Sequence, residues 1–166
     1  MDSVTAEKFG SLAVVSNKKC LKLCITLLIL NVAFIWGNSL LPAEYSRAFS
    51  GFVRNVLAMF LPVSGSGDGA EGHHILRKLA HFTEFACLGL LLTCLVHMYF
   101  SRWQCWALPV LSGVLVAAVD ETIQFFIPGR GSRISDVGID ALGVILGIVL
   151  INVYTSIKQQ IWRKIK

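Results

Sequence analysis

The apolar residues of this chain are gathered into long blocks rather than spread at the spacing of a water-facing domain. Four blocks stand out, at about residues 21–41, 79–100, 103–127 and 136–154. Each approaches the ~20 residues that an α-helix needs to cross ~30 Å of hydrocarbon. Lys18, Lys19 and Lys22 precede the first block and Pro42 closes it. A cleaved signal peptide is the weaker reading of that block, because it is long enough to span and no small-x-small cleavage site follows. A different pattern lies between the first two blocks. Tyr45, Phe49, Phe52, Val53, Val56 and Phe60 recur at helical spacing, with Arg47, Ser50 and Arg54 opposite them. This pattern predicts an amphipathic interfacial helix over about 44–61, ended by Pro62, with a soluble-side helix as the alternative. The Gly/Ser-rich stretch 64–72 follows as a flexible loop. The expected fold is therefore an all-α integral membrane protein with four transmembrane helices plus one amphipathic interfacial helix. Its transmembrane domain covers 18–157, between a loose, polar cytoplasmic tail (1–17) and a basic one (158–166).

Composition agrees with the blocks, at 55% hydrophobic and 15% charged residues. The net charge of +5 arises mainly from lysines and arginines flanking the blocks, so it points to membrane anchoring and not to nucleic acid. The cysteines, Cys20, Cys24, Cys87, Cys94 and Cys105, are odd in number and lack a C-x-x-C pair, which argues against a disulfide framework or a zinc site. They read as apolar filler. The end of the bundle carrying both termini is the richer in Lys and Arg, and eight of the ten acids fall towards the other end. Both termini are expected in the cytoplasm of a multi-pass cell-membrane protein.

Three polar groups interrupt the apolar blocks. Arg77, Lys78, His81 and Glu84 open the second span. Asp120, Glu121 and Gln124 close the third. The loop with Gly129, Arg130, Gly131 and Arg133 leads into Asp136, with Asp140 one turn later. Four spans bring these three regions to the same, outward membrane face. An ionisable residue within a span costs at least ~2.5–3.5 kcal/mol on insertion scales unless it reaches water or a partner. Asp120 and Glu121 also sit where the helix dipole disfavours negative charge, so Arg130 or Arg133 is the expected compensation. Asp136 and Ser135 are placed to cap the fourth helix. The bland alternative is a near-balanced set of charges that only locks helix ends together. Elsewhere, His97 reads as interfacial, and Trp36, Trp103, Trp106 and Trp162 as interfacial anchors. Gly143 and Gly147 form a G-x-x-x-G suited to close packing, within the chain or in a homo-oligomer.

The run K-x-A-H-F-x-E-F at 78–85, followed by D-E-x-x-Q-x-F-x-P-G-R at 120–130 and Ser-Arg-Ile-Ser-Asp-Val ending at Val137, resembles the VanZ-like family. The resemblance spans about residues 25–155. It implies a small, multi-helix bacterial membrane protein, and the family takes its name from a protein that lowers susceptibility to the lipoglycopeptide teicoplanin. Asp140 departs from the family's frequent asparagine.

Three functions follow as expectations. In the first, Arg77, Lys78, Arg130 and Arg133, with His81, Glu84, Asp120, Glu121, Gln124 and Asp136, form an outer-leaflet site. Its partner is an anionic membrane lipid, a polyprenyl-phosphate-linked precursor or a lipoglycopeptide, held by arginine forks. In the second, His81 and Glu121 act as acid and base on a lipid-linked ester or phosphate. No cofactor is identifiable, and any metal would sit on Glu84, Glu121 and Asp136. The third is a structural or partner-binding protein.

Overall fold

The computed structural model describes residues 3–42, 44, 45, 48, 70–100, 103–130 and 133–165. Its long helices are α1 (Ser3–Leu40), α2 (Ala70–Val96), α3 (Gln104–Phe126) and α4 (Ile134–Ile165), and no strand occurs among the described residues. Each contains a stretch long and apolar enough to span: Lys18–Leu40, Ile75–Val96, Gln104–Phe126 and Ile134–Trp162. The core is narrow and lies on the bundle axis. It consists of Ile35 from α1, Phe85 and Leu88 from α2, Ala117 from α3, and Val144 and Ile148 from α4. Large apolar side chains point the other way as well: Leu23, Leu30, Phe34, Leu111, Leu115 and Leu142 are all exposed. A water-soluble domain does not display so much contiguous apolar surface, whereas lipid accepts it.

Several boundaries differ from expectation. The stretch 1–17, expected as a loose tail, is helical from Ser3 onward. It holds no proline, and a span that is already helical removes the nucleation cost of extending into it. The basic end 158–166 likewise continues α4 as far as Ile165. The second helix begins at Ala70, so 70–72 leave the expected loop, and it ends at Val96 in a turn over 97–99. Most of the predicted interfacial helix and most of the 64–72 loop lie outside the described residues.

The most extensive interface joins α2 to α4, which are not consecutive in the chain. Glycine makes it possible. A methyl group at Gly143 would collide with the Phe82 carbonyl, one at Gly147 with the Ala86 carbonyl, and one at Gly89 with the Val144 backbone. The G-x-x-x-G face is thus used inside the chain, where small residues let two backbones approach closely. Trp36 also departs from its expected role, packing against the core cluster, while Trp103, Trp106 and Trp162 are exposed. At the terminal end of the bundle, His97 hydrogen-bonds through Nε2 to Asn152 Oδ1 at 3.2 Å, joining α2 to α4.

Candidate functional site

The up-and-down order of four helices brings the end of α1, the start of α2, the end of α3 and the start of α4 to one end of the bundle. The polar residues meet there. Gln124, fully buried on the last turn of α3, is the hub. Its carbonyl accepts from Arg77 Nη2 at 2.6 Å, and its amide donates to Asp120 Oδ2 at 2.7 Å and to Ser39 Oγ at 3.1 Å. Asp120 and Gln124 share a helix face by their four-residue spacing, which is why one can orient the other.

Around this hub the helix ends are tied pairwise. Asn38 Nδ2 donates to Glu84 Oε1 at 3.1 Å, linking α1 to α2. Lys78 Nζ lies 3.3 Å from Asp136 Oδ1, linking α2 to α4. The backbone N–H of Arg133 donates to Glu121 Oε2 at 3.1 Å. Arg130 Nη2 donates to the Asn38 carbonyl at 2.7 Å, where α1 ends and where the Leu41 N–H also donates at 3.3 Å. The loop can fold back this tightly because Gly129 takes φ 77°, a region unfavourable to residues with a Cβ. Half-burial and the nearby Arg77 hold the Arg130 guanidinium below its usual pKa, against the pull of Asp120, Glu121 and Glu84. It remains a cation at neutral pH.

His81 occupies the centre. Its Nδ1 stands 3.6 Å from Asp120 Oδ2 and 3.9 Å from Asp140 Oδ1. Asp120 and Asp140 are fully buried, with 0% and 1% of their surface exposed, so their charges gain little from solvent. One donor atom from each of these three residues falls within a mutual 4.8 Å. Two ionised carboxylates at that separation repel by about 3–4 kcal/mol at an effective dielectric of ~20. A cavity of about 20 Å3, roughly one water in size, opens beside them, lined by Arg77, Lys78, His81, Glu121, Asp136 and Asp140 among others.

The site is not closed electrostatically. Glu84 Oε2, Asp120 Oδ1, Asp140 Oδ2 and Arg130 Nε and Nη1 are buried without a hydrogen-bond partner in the described structure. Such groups ordinarily find a water, an ion or a ligand, because leaving one unsatisfied costs about 1–3 kcal/mol.

Most residues expected at the site are brought together, with altered roles. The hydrogen-bonding neighbours of Asp120 are Ser39 and Gln124, the His81 imidazole stands 3.6 Å away, and Arg130 acts on it over a longer distance. Asp136, in the first turn of α4, pairs with Lys78 and accepts from Ser135 Oγ. The metal set named from the sequence, Glu84, Glu121 and Asp136, does not converge as a group. Among the described residues His81, Asp120 and Asp140 do. The site expected from the sequence leaves out Asp140, which departs from the family's frequent asparagine. Asn38 and Ser39 were missed, because two adjacent uncharged polar residues at the far end of the first span read as its boundary.

No curated protein and no solved structure matches the chain. Comparison with protein families gives a match to VanZ/LLP1 over residues 24–155, which includes every polar residue described above. With that match covering most of its length and four helices able to span a bilayer, the chain belongs to the VanZ/LLP1 family and is a multi-pass membrane protein.

Proposed function

We propose that the polar end of the bundle faces the outer leaflet of a bacterial cell membrane and binds the anionic headgroup of a lipid or lipid-linked compound. Both termini then lie in the cytoplasm, as the Lys and Arg distribution favours. The observation that carries this reading is Arg130. It belongs to the α3–α4 loop at the polar end of the bundle, and its Nε and Nη1 are buried with no acceptor among the described residues. A phosphate or carboxylate supplies acceptors that suit guanidinium geometry. Arg77 and Lys78 line the adjoining cavity and extend the positive wall. Acyl or prenyl chains would lie along the exposed apolar faces. A polyprenyl-phosphate-linked cell-wall precursor and a lipoglycopeptide of the teicoplanin kind both have this form, a long apolar tail ending in an anionic group. Sequestering either near the outer leaflet is a route to glycopeptide resistance.

The test compares lipids retained after gentle detergent extraction, identified by mass spectrometry. Wild-type protein is expected to be enriched in phosphate-bearing lipid over the bulk membrane. Arg130→Ala should lose that enrichment and Arg130→Lys should keep only part of it, since charge remains but the fork does not. Equal retention by all three, with unchanged elution profiles, would overturn the reading.

The acid–base alternative is favoured by one observation, that His81 and Glu121 line the same cavity. It requires Glu121→Gln to abolish cellular function while lipid retention persists. Headgroup binding alone requires function and retention to fall together.

A further inference from the structure

We infer that His81, Asp120 and Asp140 form a binding site for one divalent transition-metal cation at the polar end of the bundle. This goes beyond headgroup binding and does not depend on it.

The donor set comes from three helices, His81 on α2, Asp120 on α3 and Asp140 on α4. It offers one imidazole nitrogen and two carboxylate oxygens within 4.8 Å of one another. Ions of the Zn2+ and Mn2+ class take such mixed donors at about 2.0–2.2 Å, which sets neighbouring ligand atoms roughly 3.0–3.6 Å apart. The imidazole-to-carboxylate distances of 3.6 and 3.9 Å are already close to that spacing.

Three independent features favour a cation here. Asp120 Oδ1 and Asp140 Oδ2 are buried without partners, on side chains that are 0% and 1% exposed, and Asp140 lines the cavity. With the Lys78–Asp136 pair set aside, Glu84, Asp120 and Asp140 outnumber the neighbouring guanidiniums of Arg77 and Arg130. The nearest hydrogen bond of Arg77 goes to the Gln124 amide and that of Arg130 to a backbone carbonyl, so neither neutralises the two buried aspartates directly. Finally, Gln124 donates at 2.7 Å to Asp120 Oδ2, the oxygen that faces His81 Nδ1, and so fixes the orientation of that carboxylate. The cavity beside the set has room for one water as a further ligand.

Full-length protein in mild detergent, stripped with chelator and dialysed against Mn2+ or Zn2+ alone, is expected to retain about one ion per chain by elemental analysis. Asp120→Asn and Asp140→Asn should weaken retention by more than the roughly 10–100-fold typical of outer-shell changes. Asp136→Asn, at the same end of the bundle but outside the set, should retain the ion. In the Mn2+-loaded wild type, paramagnetic resonance should show coupling to an imidazole nitrogen. That measurement decides the matter even if an aspartate variant fails to fold. A wild-type protein with no ion above buffer level would overturn the site, as would aspartate variants that bind as wild type does, or bound Mn2+ without nitrogen coupling. Lipid retention measured on the metal-stripped sample keeps the two proposals apart: retention with no metal binding removes the cation site and leaves headgroup binding standing.

Discussion

At the scale of single residues, Gln124 does more than any charge to organise the polar end. It joins Arg77, Asp120 and Ser39, and so ties together α1, α2 and α3. Gln124→Leu removes the acceptor for one guanidinium and one of the donors to a buried carboxylate. We expect destabilisation of at least about 2 kcal/mol, read as a lower unfolding midpoint in mild detergent. A change below about 0.5 kcal/mol, within the range of an ordinary surface substitution, would show that the network contributes nothing to stability. The charged members of this network were legible in the sequence because an ionisable side chain in an apolar run is costly unless it reaches water or a partner. Asn38 and Ser39 were not, since uncharged polar residues at the end of a span look like a boundary. Asp140 was visible but unranked. Only the packing of α4 against α2 turns it towards His81.

Between elements, the decisive contact is the glycine seam of α2 and α4. Gly147→Ala places a methyl group against the Ala86 carbonyl, so the helices must separate. A loss of about 1–3 kcal/mol is expected, as for other overpacked sites. Gly37→Ala in α1 is the matched control, because nothing lies within 4 Å of its added methyl. That change should be neutral or stabilising by up to about 1 kcal/mol, through helix propensity alone. Unfolding midpoints of the two variants measured side by side would settle the comparison, and equal effects would contradict the seam. The existence of the four spans was readable from length and hydropathy. Their ends were less so. Arg77 and Lys78 look like flanking residues until Gln124 and Asp136 are seen to receive them inside the bundle, and low hydropathy in 3–17 carries no information on whether a helix continues.

For the molecule as a whole, orientation in the membrane decides what the site can meet. In a cysteine-free background, Ile134→Cys at the polar end should react with an impermeant thiol reagent added to intact cells. Lys158→Cys at the opposite end should react only after permeabilisation. Both positions are exposed on the same helix. The reverse pattern would place the polar end in the cytoplasm and remove the outer-leaflet ligand classes. The pairing of α2 with α4 also has a consequence for biosynthesis. As the chain leaves the ribosome, α2 enters the bilayer carrying Arg77, Lys78, His81 and Glu84 before Asp120, Gln124, Asp136 or Asp140 has been made. Until α4 is released by the insertion machinery, the groove around Gly89 has no occupant and Lys78 no aspartate. A nascent chain arrested after α3 should therefore expose its α2 polar face to insertion chaperones and membrane proteases, and gain protection only when the last helix docks.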